Sequence, residues 1–169
     1  MEIEMMYQTL EAKLADAERI LIGIGSEWKL GDEEREEEIA KAVEQLKRLV
    51  EGKDYFIIST LDAEDTARFG FETAHTVVPF DVSLTEEQWN GYTNWLARTL
   101  NRKLVILELG EGFMNPTVVR WPFEKTTLIN NKAFMFRVHK TFYQISDEIK
   151  EKALAVKSDS VSFFAHHCR

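Results

Sequence analysis

The segment Arg19-Ile-Leu-Ile-Gly-Ile-Gly-Ser26 constrains this chain more than any other stretch. A short apolar run closes in Gly23-Ile24-Gly25-Ser26. Strands of a parallel sheet are covered on both faces, so they read as unbroken apolar runs rather than as alternations. Glycines at the carboxyl end of such a run let the backbone turn tightly and come close to a ligand. In open α/β sheets that end of the first strand commonly holds nucleotide phosphates. The segment therefore points to a Rossmann-like nucleotide site.

The rest of the chain repeats the alternation. Leu10 and Leu14 share one face of a helix predicted over 5–16, and the strand 20–23 follows. Asp32 is a plausible N-cap for an acidic helix whose buried face is Ile39, Val43, Leu46 and Val50, with Gly52 as its stop. A second strand spans 54–60, a short helix 62–69 ends near Gly70, and a third strand spans 76–78. Thr85 and Gln88 form a capping-box pattern at the start of a helix over 85–100. The clearest strand, 103–109, runs into Gly110-Glu111-Gly112. Pro116 suits the start of a helix over 117–127, in which Pro122 predicts a kink. A strand at 133–138, a late helix near 146–153 and a polar tail complete the pattern. Strands alternating with helices imply an open parallel sheet, a three-layer α/β fold with helices on both faces.

Composition narrows the class. The chain has 169 residues and no internal repeat or linker, which predicts one domain over 1–169. Lys and Arg total 21 against 29 Asp and Glu, a net charge of -8. An acidic chain without a basic stripe has little attraction for nucleic acid or anionic membranes. The single cysteine, Cys168, excludes an intrachain disulfide and a four-cysteine zinc module. No apolar stretch approaches a membrane span, and the expected location is the cytoplasm.

Four loops follow predicted strands and gather along one sheet edge: 23–27, 60–65, 110–115 and 137–141. In the first, the Gly23 and Gly25 backbone and the Ser26 hydroxyl would cradle a diphosphate, or the loop is simply a tight turn. Glu27 and the acidic run behind it oppose a diphosphate electrostatically. Trp28 is placed to close over a base, or packs against the acidic helix. In the second loop, Thr60, Asp62 and Glu64 are candidates for ribose contact, metal binding or general-base work; the structural alternative is helix capping by Asp62. The third loop supplies Gly110, Gly112 and Asn115 as further cofactor contacts. His75 is a candidate general base or a structural hydrogen-bonding residue. His166, His167 and Cys168 stand too close together to turn jointly to one metal ion, so no metal site is expected. Trp89, Trp95 and Trp121 read as core or interface residues, and the helix carrying Trp89 and Trp95 as a homodimer face.

The order of these motifs resembles the sirtuin family, in particular short bacterial sirtuin-like proteins. It runs from a glycine turn after the first strand through Thr60-Leu61-Asp62-Ala63-Glu64 and His75 to Gly110-Glu111-Gly112. The stretch LVILELGEGFMNPTVVRWPFE within 103–124 carries the closest likeness. The resemblance implies a sirtuin-type, NAD-binding Rossmann-like domain, with NAD or ADP-ribose as cofactor. Sirtuins move an acyl group from lysine to ADP-ribose. Their Gly-Ala-Gly-x-Ser is matched here only in part. Asp62 and Glu64 stand where their Thr-Gln-Asn-x-Asp motif has Asn and Asp. Thr76 replaces the glycine of their His-Gly pair, and Glu111 replaces a hydroxyl residue of their Gly-Thr-Ser turn. Their Asp-Phe-Arg has no match after Trp28, and 82–100 takes the place of the zinc module. These departures imply a degenerate domain without lysine deacylase activity. One alternative is an active NAD-consuming enzyme, a hydrolase or ADP-ribosyl transferase, using His75, Glu64 and Asp62. A non-enzymatic homodimeric module is the other.

Overall fold

A computed structural model describes residues 1–167; Cys168 lies outside the described residues. Six parallel strands form one sheet: β1 (Arg19–Ile24), β2 (Asp54–Ser59), β3 (Thr76–Val77), β4 (Leu104–Leu109), β5 (Phe134–His139) and β6 (Ala153–Lys157). Their order across the sheet is β3-β2-β1-β4-β5-β6. From β1 the chain works outward through β2 and β3, then crosses back to lay β4 against the other side of β1, in register from Arg19↔Leu104 to Ile24↔Leu109. The direction of winding therefore reverses between β1 and β4, and in such sheets the crevice for ligands opens at the carboxyl ends of those two strands.

Among the described residues, six α-helices cover the sheet: α1 (Ile3–Asp16), α2 (Glu33–Val50), α3 (Ala63–Arg68), α4 (Glu86–Ala97), α5 (Arg120–Ile129) and α6 (Ser160–Ala165). Alternate strand residues point to opposite faces. Ile20, Ile22 and Ile24 pack with Leu10, Leu14, Leu46 and Phe164 from α1, α2 and α6. Leu21, Ile58 and Ile106 pack with Tyr92, Trp95, Val119 and Phe123 from α4, α5 and the turn before it. The three-layer α/β architecture expected from the alternating pattern is thus present. No described helix is long and apolar enough to cross a membrane.

Local chemistry sets most boundaries as expected. Asp32 and Asp62 cap α2 and α3 by accepting from Arg35 N and Asp65 N. Thr85 and Gln88 close a reciprocal capping box at α4. Gly52 and Gly70 end their helices at positive φ.

The carboxyl-terminal quarter differs. Residues 147–152 form a 3-10 helix rather than an α-helix, and the segment read as late helix and polar tail contains β6 and α6. Pro116 lies in an irregular turn, and α5 begins only at Arg120. Pro122 then sits in the first turn of α5, where its missing N–H costs nothing, so the expected kink has no cause. Trp95 is buried and donates to Asp54 at 2.8 Å, which removes it from the expected dimer face; Trp89 and Trp121 remain exposed.

Candidate functional site

Gly25 and Gly110 meet at the carboxyl ends of β1 and β4. Gly25 N–H donates to Leu109 O at 2.9 Å, and Glu27 N–H to Gly110 O at 3.5 Å. A Cβ on Gly25 would stand 2.5 Å from Gly110 O, so only glycine permits this approach. Gly110 itself has φ +71°, and a Cβ there would meet Glu27 and Ser160. Gly23 has a different task from the one the motif suggests. It lies inside β1, and a Cβ would collide with Phe123 and Val119 at 2.8 Å, so its smallness seats the α5 region on the sheet.

Two carboxylates of the chain fill the space around this turn. The Glu111 carboxyl packs against Gly25, 2.8 Å from where a Cβ would be, and the Thr60 hydroxyl donates to it at 3.0 Å. Burial pushes Glu111 up to about 8; the Thr60 hydrogen bond and the Arg120 charge oppose that rise, while Glu108 adds to it. Glu111 is therefore mainly an uncharged acid at neutral pH. Glu27 accepts from Ser160 N at 2.9 Å, Ser160 Oγ at 2.6 Å and Lys140 N at 2.9 Å. Three donors on one carboxylate leave it little capacity for anything else.

His139 ends β5 beside Glu27. Its Nδ1 accepts from Thr141 N at 2.9 Å and Phe142 N at 2.8 Å, which places the proton on Nε2. Burial lowers its affinity for a second proton, partly offset by the Glu27 charge. The 3.6 Å approach of Nδ1 to Glu27 is thus proximity to a neutral ring, not an ion pair. Beneath the rim, Arg137 forms a two-pronged pair with Glu108 at 2.5 and 2.9 Å and reaches Glu124 at 2.7 Å. Arg120 donates to the carbonyls of Glu111 at 3.0 Å and Phe142 at 2.9 Å, binding two rim loops together, and its guanidinium lies over the Phe113 ring at 4.1 Å.

The residues predicted from sequence are divided by the fold. Gly25, Gly110 and Thr60 come together at one rim, with Gly112 against the Phe142 ring. Ser26 and Asn115 are exposed on the same loops. Asp62 is committed to its cap, and Glu64 is exposed on α3. Trp28 is fully buried, donates to Ser160 Oγ at 2.9 Å and meets Phe69 and Phe164, so it cannot close over a base.

His75 lies at the opposite rim. It precedes β3, whose parallel direction puts that end at the amino edge, and its Nδ1 bonds Tyr55 O at 2.6 Å near the start of β2. There it borders a separate open cleft of about 590 Å³ with Tyr55, Phe71 and Lys47. The histidine that does reach the carboxyl rim is His139. Its signal was its position at the end of an apolar strand. Ser160 had no such signal, because β6 was not recognised.

Fold and rim together define a Rossmann-like α/β domain with a glycine crossing at its topological switch point. No family model matches the chain. Over 72 residues, 43% of this chain, it is 29% identical to a protein ADP-ribosyltransferase of Staphylococcus aureus, and the match spans 23% of that relative's length. Among the described residues, no group of three or more His, Cys, Asp or Glu side chains is placed to hold a metal ion.

Proposed function

We propose that this chain is a sirtuin-like Rossmann domain that holds an NAD-type nucleotide, NAD or ADP-ribose, at the β1–β4 rim and does not deacylate lysine. One observation carries the binding half: Gly25 and Gly110 close on each other at the point where the strand order reverses. The resemblance in motif order and the Staphylococcus aureus relative support the choice of nucleotide.

The loss of deacylation rests on the residues themselves. A base must stand within hydrogen-bond reach of the group it deprotonates. His75 is at the wrong edge of the sheet, and Asp62 caps a helix. Where the family places amide or hydroxyl donors, this chain has carboxyls. The fold survives because the sheet does not depend on those side chains.

Calorimetric titration with NAD and ADP-ribose tests the reading. Saturable heat in the millimolar range or tighter, with an acetyl-lysine peptide left unchanged in the presence of NAD, is the expected result. Absence of heat at millimolar ligand removes the nucleotide; peptide deacylation removes the second half.

The relative's activity favours one second reading, cleavage or transfer at the glycosidic bond of NAD. Its groups would have to come from the carboxyl rim, not from His75. Nicotinamide release on incubation with NAD distinguishes the two.

A further inference from the structure

We propose that a cavity beside β3 seats a ring of the nucleotide. It takes a flat heteroaromatic group with an N–H donor next to an acceptor, the edge that adenine and nicotinamide share. The inference rests on the nucleotide reading above and names the part of the ligand which that reading leaves unplaced.

The cavity has a volume of about 180 Å³ and lies along the free edge of β3, between α3 and the first turn of α4. That volume is too small for a dinucleotide and suits a single ring system. Phe71, Val77 and Leu84 give it apolar walls. It also stands within reach of the glycine crossing. Thr60 donates to Glu111, which lies against Gly25, and Ala63, three residues further along the chain, lines the cavity. Three residues span at most about 10 Å, a distance that a ribose and a diphosphate bridge.

Two side chains of fixed polarity give the cavity its preference. In the capping box of α4, Gln88 Oε1 accepts from Thr85 N at 2.9 Å. The amide is thereby oriented, and its free end is Nε2, which can only donate. Asp81 Oδ1 accepts from Ser83 N at 3.0 Å, and its free end is Oδ2, which can only accept. Neither free atom has a partner among the described residues. Thr66 and Thr76 donate their hydroxyl protons to Asp62 O at 2.8 Å and Glu72 O at 2.9 Å, and the Thr73 hydroxyl, able to donate or accept, adds no preference. A ligand edge that fits must accept from Gln88 and donate to Asp81. Adenine does so with N7 and its amino group, and nicotinamide with the two ends of its carboxamide. A carboxylate in the same place would meet Asp81 as a like charge.

The test is calorimetric titration of the whole chain with NAD and with ADP-ribose, for the wild type, Gln88→Glu and Asp81→Asn. Each variant keeps the oxygen that accepts from Thr85 or Ser83, so the local fold stands, and each reverses the polarity of the free atom. Glutamate in the first turn of a helix is also favourable, so α4 is not weakened. A matched bond lost, with an unpaired group left behind, weakens binding about tenfold. With adenine in the cavity, both ligands weaken. With nicotinamide there, only NAD weakens, because ADP-ribose lacks that ring. Either result upholds the site. Unchanged affinity for both ligands in both variants overturns it and leaves the nucleotide reading in place. No heat from the wild type with either ligand overturns the nucleotide reading instead. Free adenosine and free nicotinamide then test the cavity alone, through the Gln88 side-chain amide signal in a proton–nitrogen correlation spectrum. A saturable shift with one of them upholds the ring site; a signal unmoved by both overturns it.

Discussion

The Glu27 carboxylate accepts two hydrogen bonds from Ser160, one from its backbone N–H at 2.9 Å and one from its hydroxyl at 2.6 Å, although the residues are 133 apart in sequence. The contact joins the turn after the first strand to the start of the last helix. It closes the rim across Gly110, and Trp28 secures it from below by donating to the same hydroxyl at 2.9 Å.

Glu27→Ala strips three donors of their acceptor: Ser160 N–H, Ser160 O–H and Lys140 N–H. Unsatisfied groups in a part-buried setting cost about 1–3 kcal/mol, less where water reaches them. Urea denaturation should give a lower midpoint with an unchanged slope, and Glu27→Gln should recover part of the loss through its remaining carbonyl oxygen.

Glu111 makes stability depend on pH with a defined sign. Its ordinary value of 4.5 applies to the unfolded chain, and about 8 to the folded one. Below pH 4.5 both states hold the proton, so the group exacts no penalty. Between 4.5 and 8 the unfolded chain ionises while the folded one does not, and stability falls by about 1.4 kcal/mol per pH unit from this group. Above 8 the fall levels off. Denaturation of Glu111→Gln from pH 5 to pH 8 should show the variant gaining on the wild type steadily; parallel curves would contradict the assignment.

The Glu108–Arg137 pair is fully buried, so breaking one side should matter more than replacing both. Arg137→Met leaves Glu108 without its two-pronged partner in the interior, and the expected loss is about 3–5 kcal/mol. Glu108→Leu combined with Arg137→Met should recover only part of it, because buried Arg120, 3.5 Å from Glu108, then loses its counter-charge; a double-mutant cycle by chemical denaturation measures the coupling.

Gly25→Ala should damage the rim more than Gly23→Ala. At Gly25 the new methyl meets the backbone oxygen of Gly110 at 2.5 Å, whereas at Gly23 it meets side chains of Phe123 and Val119 that have some freedom to turn. Overpacking of this kind costs about 1–3 kcal/mol. Thermal melts of the two variants should rank them in that order.

His75→Ala should leave nucleotide binding untouched. The ring stacks on Tyr55 with centroids 5.0 Å apart at the amino edge of the sheet, away from the glycine crossing. Titration of the variant with ADP-ribose at pH 7 should match the wild type; a marked weakening would mean that this histidine reaches the ligand after all.

Much of the fold was legible because each strand and cap carries its own chemistry. The apolar runs of β1, β2 and β4, the caps at Asp32, Asp62 and Thr85, and the stops at Gly52 and Gly70 all declare themselves within a few residues. The edge strand β6 did not. It is only half-buried along most of its length, so its sequence lacks the apolar run that marks the central strands. Without β6, neither α6 nor the placement of Ser160 against Glu27 could be read.

Sequence by itself determined the parallel α/β architecture and the meeting of two glycine turns, because local periodicity and the winding of parallel strands leave few other arrangements. Tertiary structure alone decided which side chains share the rim. Strand direction sent His75 to the far edge and brought His139 to the near one. Burial drew Trp28 inward and left Glu111 uncharged against Gly25. Those outcomes depend on contacts between residues distant in the chain, and no local pattern records them.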